Sequence, residues 1–371
     1  MKSASNSAPR GPVPQHKRET ILGSPYDTLP ASAFWRSVVA EAEPSAVEGL
    51  YLPKFPITRE TKIMTAGSCF AQHVHRALVA RDWAVIDMET PKGPIPREVL
   101  TRFGYGMYSA RYGNIYTPRQ MLQLLREALG DVTPAEPVWS LGARYVDAQR
   151  PNVEPEGLER PEHVRQARRV HLRRMLRAIK GAEVFVFTLG LTEVWRHRDS
   201  GTVYPTAPGT LAGSYDPGIY EFHNFTLPEV REDLEQLRTL LVLLSPGIRM
   251  VLTVSPVPLT ATASGKHVLV STASSKAVLR AAAGEMADSY GDVDYFPSYE
   301  LITNPAARGR FYKENLRSVT DEGVAAAMRM FFQAHDPQGE AYRAANTPLP
   351  EEEDEDDDLV CEEALIEATR S

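Results

Sequence analysis

The chain has very little cysteine. Only Cys69 and Cys361 occur among its 371 residues. Two cysteines build neither a disulfide framework nor a Cys-rich zinc site, and a reducing compartment is the expectation. Long apolar runs are missing as well. The opening MKSASNSAPRGPVPQHKRET lacks the apolar core, about 7–15 residues long, of a signal peptide. No stretch approaches the ~18 apolar residues of a membrane span. These absences predict a cytoplasmic protein with no membrane partner. A basic excess is absent too: 48 acidic residues stand against 41 Lys and Arg, for a net charge of −7. Eleven of the acids, with a single Arg, lie from Glu351 onward, so the rest of the chain carries about +3. A nearly neutral body argues against a nucleic-acid partner. The sequence holds no GxxxxGK[ST], no GxGxxG after a strand and no HExxH. His73 and His75 are spaced i, i+2 and point to different sides of a helix. No metal and no cofactor is implied.

What is present is ordinary globular composition, 43% hydrophobic and 24% charged, enough for a large core. Residues 1–30, rich in Ser, Pro and charge, read as a flexible N-terminal arm. Residues 31–344 read as one α/β domain and 345–371 as an acidic disordered tail. The acids from Glu351 to Asp358 repel one another, and LVCEEALIEA after them suits a short amphipathic helix. The tail reads either as a docking peptide for a protein partner or as a solvated extension.

Strands are expected at 62–66, 83–87, 183–188, 248–254 and 293–296. Helices are expected at 68–81, 161–180, 228–244, 274–289 and 321–334. This alternation predicts a parallel sheet covered on both faces. The 161–180 helix carries Arg165, Arg168, Arg169, Arg173, Arg174, Arg177 and Lys180 around a stripe of Val164, Ala167, His171, Met175 and Ala178. It reads as a solvated face or as an anion surface.

In such sheets ligands bind beyond the carboxyl ends of the strands. The loops there read Gly67-Ser68-Cys69-Phe70-Ala71, Gly190-Leu191-Thr192-Glu193-Val194-Trp195 and Ser255-Pro256-Val257-Pro258. In the first, two nucleophile-type residues open a helix, whose amides favour a thiolate or an oxyanion. Capping by Ser68 and simple burial of Cys69 explain the same pattern, so both readings stand.

GSCFA at 67–71 is the signature of the GSCFA family, and the chain resembles that family further. The likeness runs through RYGNIYT (111–117), FTLGLTEVW (187–195), TVSPVPL (253–259), SSKAVLR (274–280) and YFPSYE (295–300). The family is similar to the SGNH/GDSL hydrolases. The resemblance therefore implies a three-layer α/β/α, flavodoxin-like parallel sheet of about five strands and an acyl-transfer reaction. The substrate implied is a carbohydrate or other small polar ester. Laid on the Gly-Asp-Ser block, Gly67-Ser68-Cys69 makes Cys69 the nucleophile; a one-residue shift makes it Ser68. Gly113, beside Asn114, matches the oxyanion glycine. Gly190, Thr192 and Glu193 match the Gly-x-Asn-Asp block in part, with Thr192 where the Asn should be. The superfamily's Asp-x-x-His is missing: Asn315 and Ser318 stand at its two positions. No triad of the usual chain order is available. His267 after the fourth strand is the first candidate base and His73 the second. Glu193 is a candidate to orient that base or bind substrate, and Arg317 a candidate binder of a carboxylate or phosphate group. A hydrolase scaffold that only binds a ligand or glycan is the alternative. Tyr112, Tyr116, Trp195 and Tyr299 would then be its aromatic contacts.

Overall fold

A computed structural model describes residues 23–45, 49–91 and 93–336. Most of the N-terminal arm, and the acidic tail with its expected helix, lie outside the described residues. Among the described residues, 23–43 belong to one compact unit and those from Pro44 to a second. In the first, Ala31–Ala33 makes a 3-10 turn and Arg36–Ala40 a wider helical turn.

The second unit alternates strands and helices. In chain order it contains β1 (Ile63–Gly67), α1 (Phe70–Val79), α2 (Arg97–Arg102) and α3 (Pro118–Leu129). The hairpin β2 (Val138–Leu141) and β3 (Arg144–Asp147) follows, then α4 (Pro161–Gly181) and β4 (Val184–Leu189). Next come β5 (Glu193–His197), β6 (Val203–Tyr204), β7 (Tyr220–Asn224), α5 (Leu227–Leu244) and β8 (Arg249–Val254). The chain closes with α6 (Val268–Ser289), β9 (Val293–Tyr295), α7 (Ser298–Thr303) and α8 (Asp321–His335).

The central sheet is parallel, in the order β1-β4-β8-β9. It has four strands, where about five were expected. Residues 83–87 reduce to a single bridge between Val85 and Ile63 on the outer side of β1. The chain leaves there because Trp83 is drawn into the core against Phe331 and Phe332. Met88 then turns its amide to Ser109 O instead of continuing the ladder. The bridge occupies the position that the second strand takes in a flavodoxin-like 2-1-3-4-5 sheet.

Alternation along the strands divides the core in two. Met64, Ala66, Phe185, Phe187, Leu189, Met250, Leu252 and Val254 face one side and pack with α3, α4, α5 and α6. Ile63, Val184, Val186 and Val251 face the other and pack with α1, α7 and α8. The result is a three-layer α/β/α arrangement. Two antiparallel additions, the β2–β3 hairpin and the sheet β6-β5-β7, were not anticipated. Their strands are short and half-polar, so no long apolar run announces them.

Local chemistry sets the helix ends. Thr117 caps α3 by accepting from Gln120 N, Pro118 opens it, and Gly130 closes it in the left-handed region. Glu229 in the first turn of α5 accepts from Thr226 N at 2.8 Å. In α4 the buried stripe includes Arg168, which was expected to face solvent. It lies between Asp147, at 3.4 Å, and Glu127, where its charge is neutralised. Among the described residues, no helix is long and apolar enough to cross a membrane.

Candidate functional site

The register places the ends of the three central strands at one level, with Gly67 opposite Thr188 and Leu189 opposite Val254. Each chain then leaves the sheet tied to its neighbour. Ser68 N donates to Thr188 O at 3.1 Å, and Ser255 N donates to Leu189 O at 2.8 Å. The three loops that follow line a small depression through Ser68, Cys69, Gly190, Leu191 and Ser255. Tyr116 and the segment Val257-Pro258-Leu259 complete its wall. Tyr116, Leu191 and Leu259 form one apolar cluster against which Val268 packs.

Gly67 adopts φ +146°, and a Cβ there would lie 2.5 Å from Thr188 O. Only glycine lets β1 approach β4 so closely and still turn into α1. Ser68 is buried, and its Oγ has no hydrogen-bond partner. Its carbonyl accepts from Ala71 N at 2.8 Å and from Tyr108 OH at 3.1 Å. Cys69, also buried, stands at the N-cap position of α1 with helical dihedrals already, φ −51° and ψ −34°.

Asn114 lies beneath this turn. Its Oδ1 accepts from Gln72 Nε2 at 3.1 Å and from Tyr108 OH at 2.5 Å. Two donors on that oxygen orient the amide, with its NH2 on the opposite branch. Ile115 N donates to Gly67 O at 2.8 Å and ties the segment to β1. Gly113 takes φ +70°, and its Cβ position faces Asn152, Arg150 and Val153. Its role in the structure is to turn the chain into Asn114.

In the second loop, Gly190 N donates to Tyr116 O at 2.8 Å. A Cβ on Gly190 would meet Ser68 Cβ at 2.9 Å, so this glycine lets the two loops touch. Thr192 is buried and donates through its N–H to Ser275 Oγ at 2.9 Å and through Oγ1 to Asn224 Oδ1 at 2.6 Å. The first bond seats the residue before β5 on α6, and the second ties it to the end of β7. Glu193 opens β5 and accepts from Thr262 Oγ1 at 2.8 Å. Burial raises its carboxyl above the usual range. Thr262 also reaches Ser264 Oγ at 2.8 Å, and Ser264 meets Ser271 Oγ at 2.9 Å, so Glu193 ends a chain of hydroxyls.

Sequence reasoning missed Lys276. It lies on the buried face of α6 and donates through Nζ to Gly190 O at 2.6 Å. The signal was its spacing: Lys276, Leu279, Ala283 and Met286 share one helical stripe. Tyr108 and Gln72, the donors to Asn114, were missed too, because nothing local marks their partner.

The proposed bases are placed unequally. His267 is exposed and caps α6, its Nδ1 accepting from Leu269 N at 3.1 Å. Neither His267 nor His73 is among the residues lining the depression. His73 sits on α1 one turn beyond Cys69, with Nε2 buried and without a hydrogen-bond partner. The segment matched to Asp-x-x-His is a polar turn before α8. Asn315 Nδ2 donates to Ser318 Oγ at 3.0 Å, and Asn315 Oδ1 accepts from Arg317 N at 3.0 Å. Arg317 is half-buried in that turn, and Leu316 beside it has φ +52°. Of the aromatic candidates, Tyr112 is wholly in the core, while Trp195 packs edge-on against Tyr215 and Phe222.

A comparison with curated proteins gave no match. The sequence profile of the GSCFA family matches residues 62–331, which span β1 to α8 and every loop of the depression. The chain belongs to the GSCFA family.

Proposed function

We infer that the protein is an acyl-transfer enzyme of the SGNH/GDSL type, cleaving an ester or passing its acyl group to an acceptor. One observation carries this reading. Ser68 and Cys69 lie buried at the carboxyl end of a central strand and the start of a helix, on the wall of a depression shared with the loops after β4 and β8. Cys69, or Ser68 beside it, attacks the ester carbonyl. A thiol suits a site without the superfamily's Asp-x-x-His, because its ordinary pKa is far below that of a hydroxyl. The Phe70 amide at the opening of α1 and the Asn114 amide stabilise the developing oxyanion, because Ala71 N and Gln72 N already donate to Ser68 O and Cys69 O. Ser68 N and Gly190 N already donate to backbone carbonyls, so they are not assigned to it. The substrate class is a polar ester, carbohydrate included, by analogy with the superfamily.

The test is covalent trapping. The protein is incubated with a fluorophosphonate and, separately, with an activated acetyl ester, and adducts are located by peptide mass spectrometry. The reading expects modification at Cys69 or Ser68, far above that at Cys361. No adduct at either position in folded protein sinks it.

The Asn315–Ser318 hydrogen bond favours a second reading. Where the superfamily keeps Asp and His, this chain builds only a turn, as in a scaffold that has kept a binding site without turnover. Ligand binding without any adduct is its signature.

A further inference from the structure

We propose that His73, from α1, is the general base for Cys69, in the role that the superfamily gives to a histidine before its last helix. This rests on the acyl-transfer reading above and assigns one of its groups.

Three observations carry it. Cys69 has helical dihedrals, so Cys69 and His73 are an i, i+4 pair on one face of α1. Such pairs bring Cβ atoms to roughly 5–6 Å. Side chains on a helix lean toward its N-terminus, and here the His73 ring lies 5.8 Å from that of Phe70, at the opening turn. The imidazole is thus carried toward the end of α1 where Ser68 and Cys69 meet the depression. Finally, His73 Nε2 is shielded and has no hydrogen-bond partner. The buried histidines are already engaged: His75 with Thr65 Oγ1 at 2.8 Å, His171 with Glu89 at 2.7 Å and His335 with Tyr51 OH at 3.2 Å. His171 also leaves its Nε2 unpartnered, but it is on α4, which packs on the other face of the sheet. An orphaned buried nitrogen is costly, so a site that keeps one invites a functional account.

The ring is also in the right protonation state. Burial, then the nearby charges of Arg76 and Lys313, lower His73 to about 3, so the ring is neutral at pH 7 and gains basicity only as an anion forms beside it. A thiolate forming beside it supplies the opposing negative charge, and thiol and imidazole then titrate as a pair.

In the first step the Cys69 thiol proton passes to His73 Nε2 as sulfur bonds to the ester carbonyl carbon. The carbon–oxygen bond to the leaving group then breaks. The imidazolium returns the proton to the departing alkoxide, leaving a thioester on Cys69. In the second step water attacks the thioester and gives its proton to His73 Nε2. The carbon–sulfur bond breaks, and the thiolate takes that proton back. The products are one carboxylic acid and one alcohol, and the enzyme is unchanged.

The experiment measures the acylation rate of Cys69 in the full-length protein with an activated acetyl ester, located by peptide mass spectrometry. Wild type, His73→Gln, His73→Asn and His267→Gln are compared, each shown folded by circular dichroism and thermal unfolding. Both His73 variants are expected to acylate about 100-fold more slowly, with His267→Gln within about threefold of wild type. An unchanged rate in a folded His73 variant overturns the proposal, as does a loss confined to His267→Gln. Acylation of Ser68 in place of Cys69 overturns the pairing but spares the acyl-transfer reading. No adduct on the wild type at either residue overturns both.

Discussion

Lys276 reaches across from α6 to donate to Gly190 O at 2.6 Å, and Gly190 in turn lies against Ser68. The ammonium therefore holds the second loop of the depression against the first. Replacing it with Met leaves a buried carbonyl short of a charged donor, a loss of about 1.5–3 kcal/mol. Lys276→Met is expected to lower the urea midpoint and to slow trapping at Cys69 or Ser68 by about tenfold or more. Urea titration and timed mass spectrometry check the two effects.

Gly67 and Gly130 both have positive φ but different surroundings. Gly67 would place a Cβ 2.5 Å from backbone, whereas Gly130 has nothing within 4 Å. Gly130→Ala is expected to cost about 1 kcal/mol, the left-handed penalty alone. Gly67→Ala must also separate β1 from β4, so at least ~3 kcal/mol is expected, with loss of trapping. Denaturant titration of the two variants gives the comparison.

Asn114 tests the oxyanion assignment. Asn114→Asp keeps an oxygen to accept from Gln72 and Tyr108 but loses the NH2. The expectation is an acylation rate reduced by about 10²–10³, with a lowered thermal midpoint because a carboxyl group is buried in place of the amide. Asn114→Ala, which abandons both accepted bonds, is expected to lower stability as well.

Acid is expected to destabilise the protein from near pH 6.5 downward. Burial is the first cause lowering His75, His171 and His335, each to about 4, and His73 to about 3. For each, the unfolded chain binds the proton that the folded chain refuses, so this stability is present above pH 6.5 and is lost as pH falls through 4. Asp233 acts in the opposite sense. Burial raises it to about 6 despite Arg119 at 2.7 Å, so its folded form holds a proton that the unfolded chain releases between pH 4 and 6. Four histidines outweigh one aspartate. The urea midpoint at pH 5 should fall below that at pH 7, and Asp233→Asn should steepen the decline.

Much of the architecture could be read in advance because it is written in local patterns. The apolar run at 183–188 reads as a doubly covered strand, and Pro161, Pro228 and Asp321 mark helix starts near where the structure has them. The loops Gly67–Ala71, Gly190–Trp195 and Ser255–Pro258 follow from strand ends, and all three contribute to the depression. The candidate residues were less well separated. Cys69, Ser68 and Gly190 line the depression, whereas Thr192 bonds Asn224 and His267 caps its own helix. Residue type and spacing could not distinguish those positions, because a capping histidine and a catalytic one look alike in sequence.

The sequence by itself determined the alternation of elements, the family and the turn that places two nucleophile-type residues at a helix start. Each depends on neighbours within a few residues: periodicity, caps, and a glycine before a small polar pair. Only the tertiary structure decided that 83–87 yields one bridge, that Asn114 is oriented by Tyr108 and Gln72, and that Lys276 anchors Gly190. It also decided that His73 Nε2 stays without a partner while His267 faces solvent. Those outcomes depend on groups far apart in the chain, where burial and the competition for hydrogen-bond partners determine what each side chain can do.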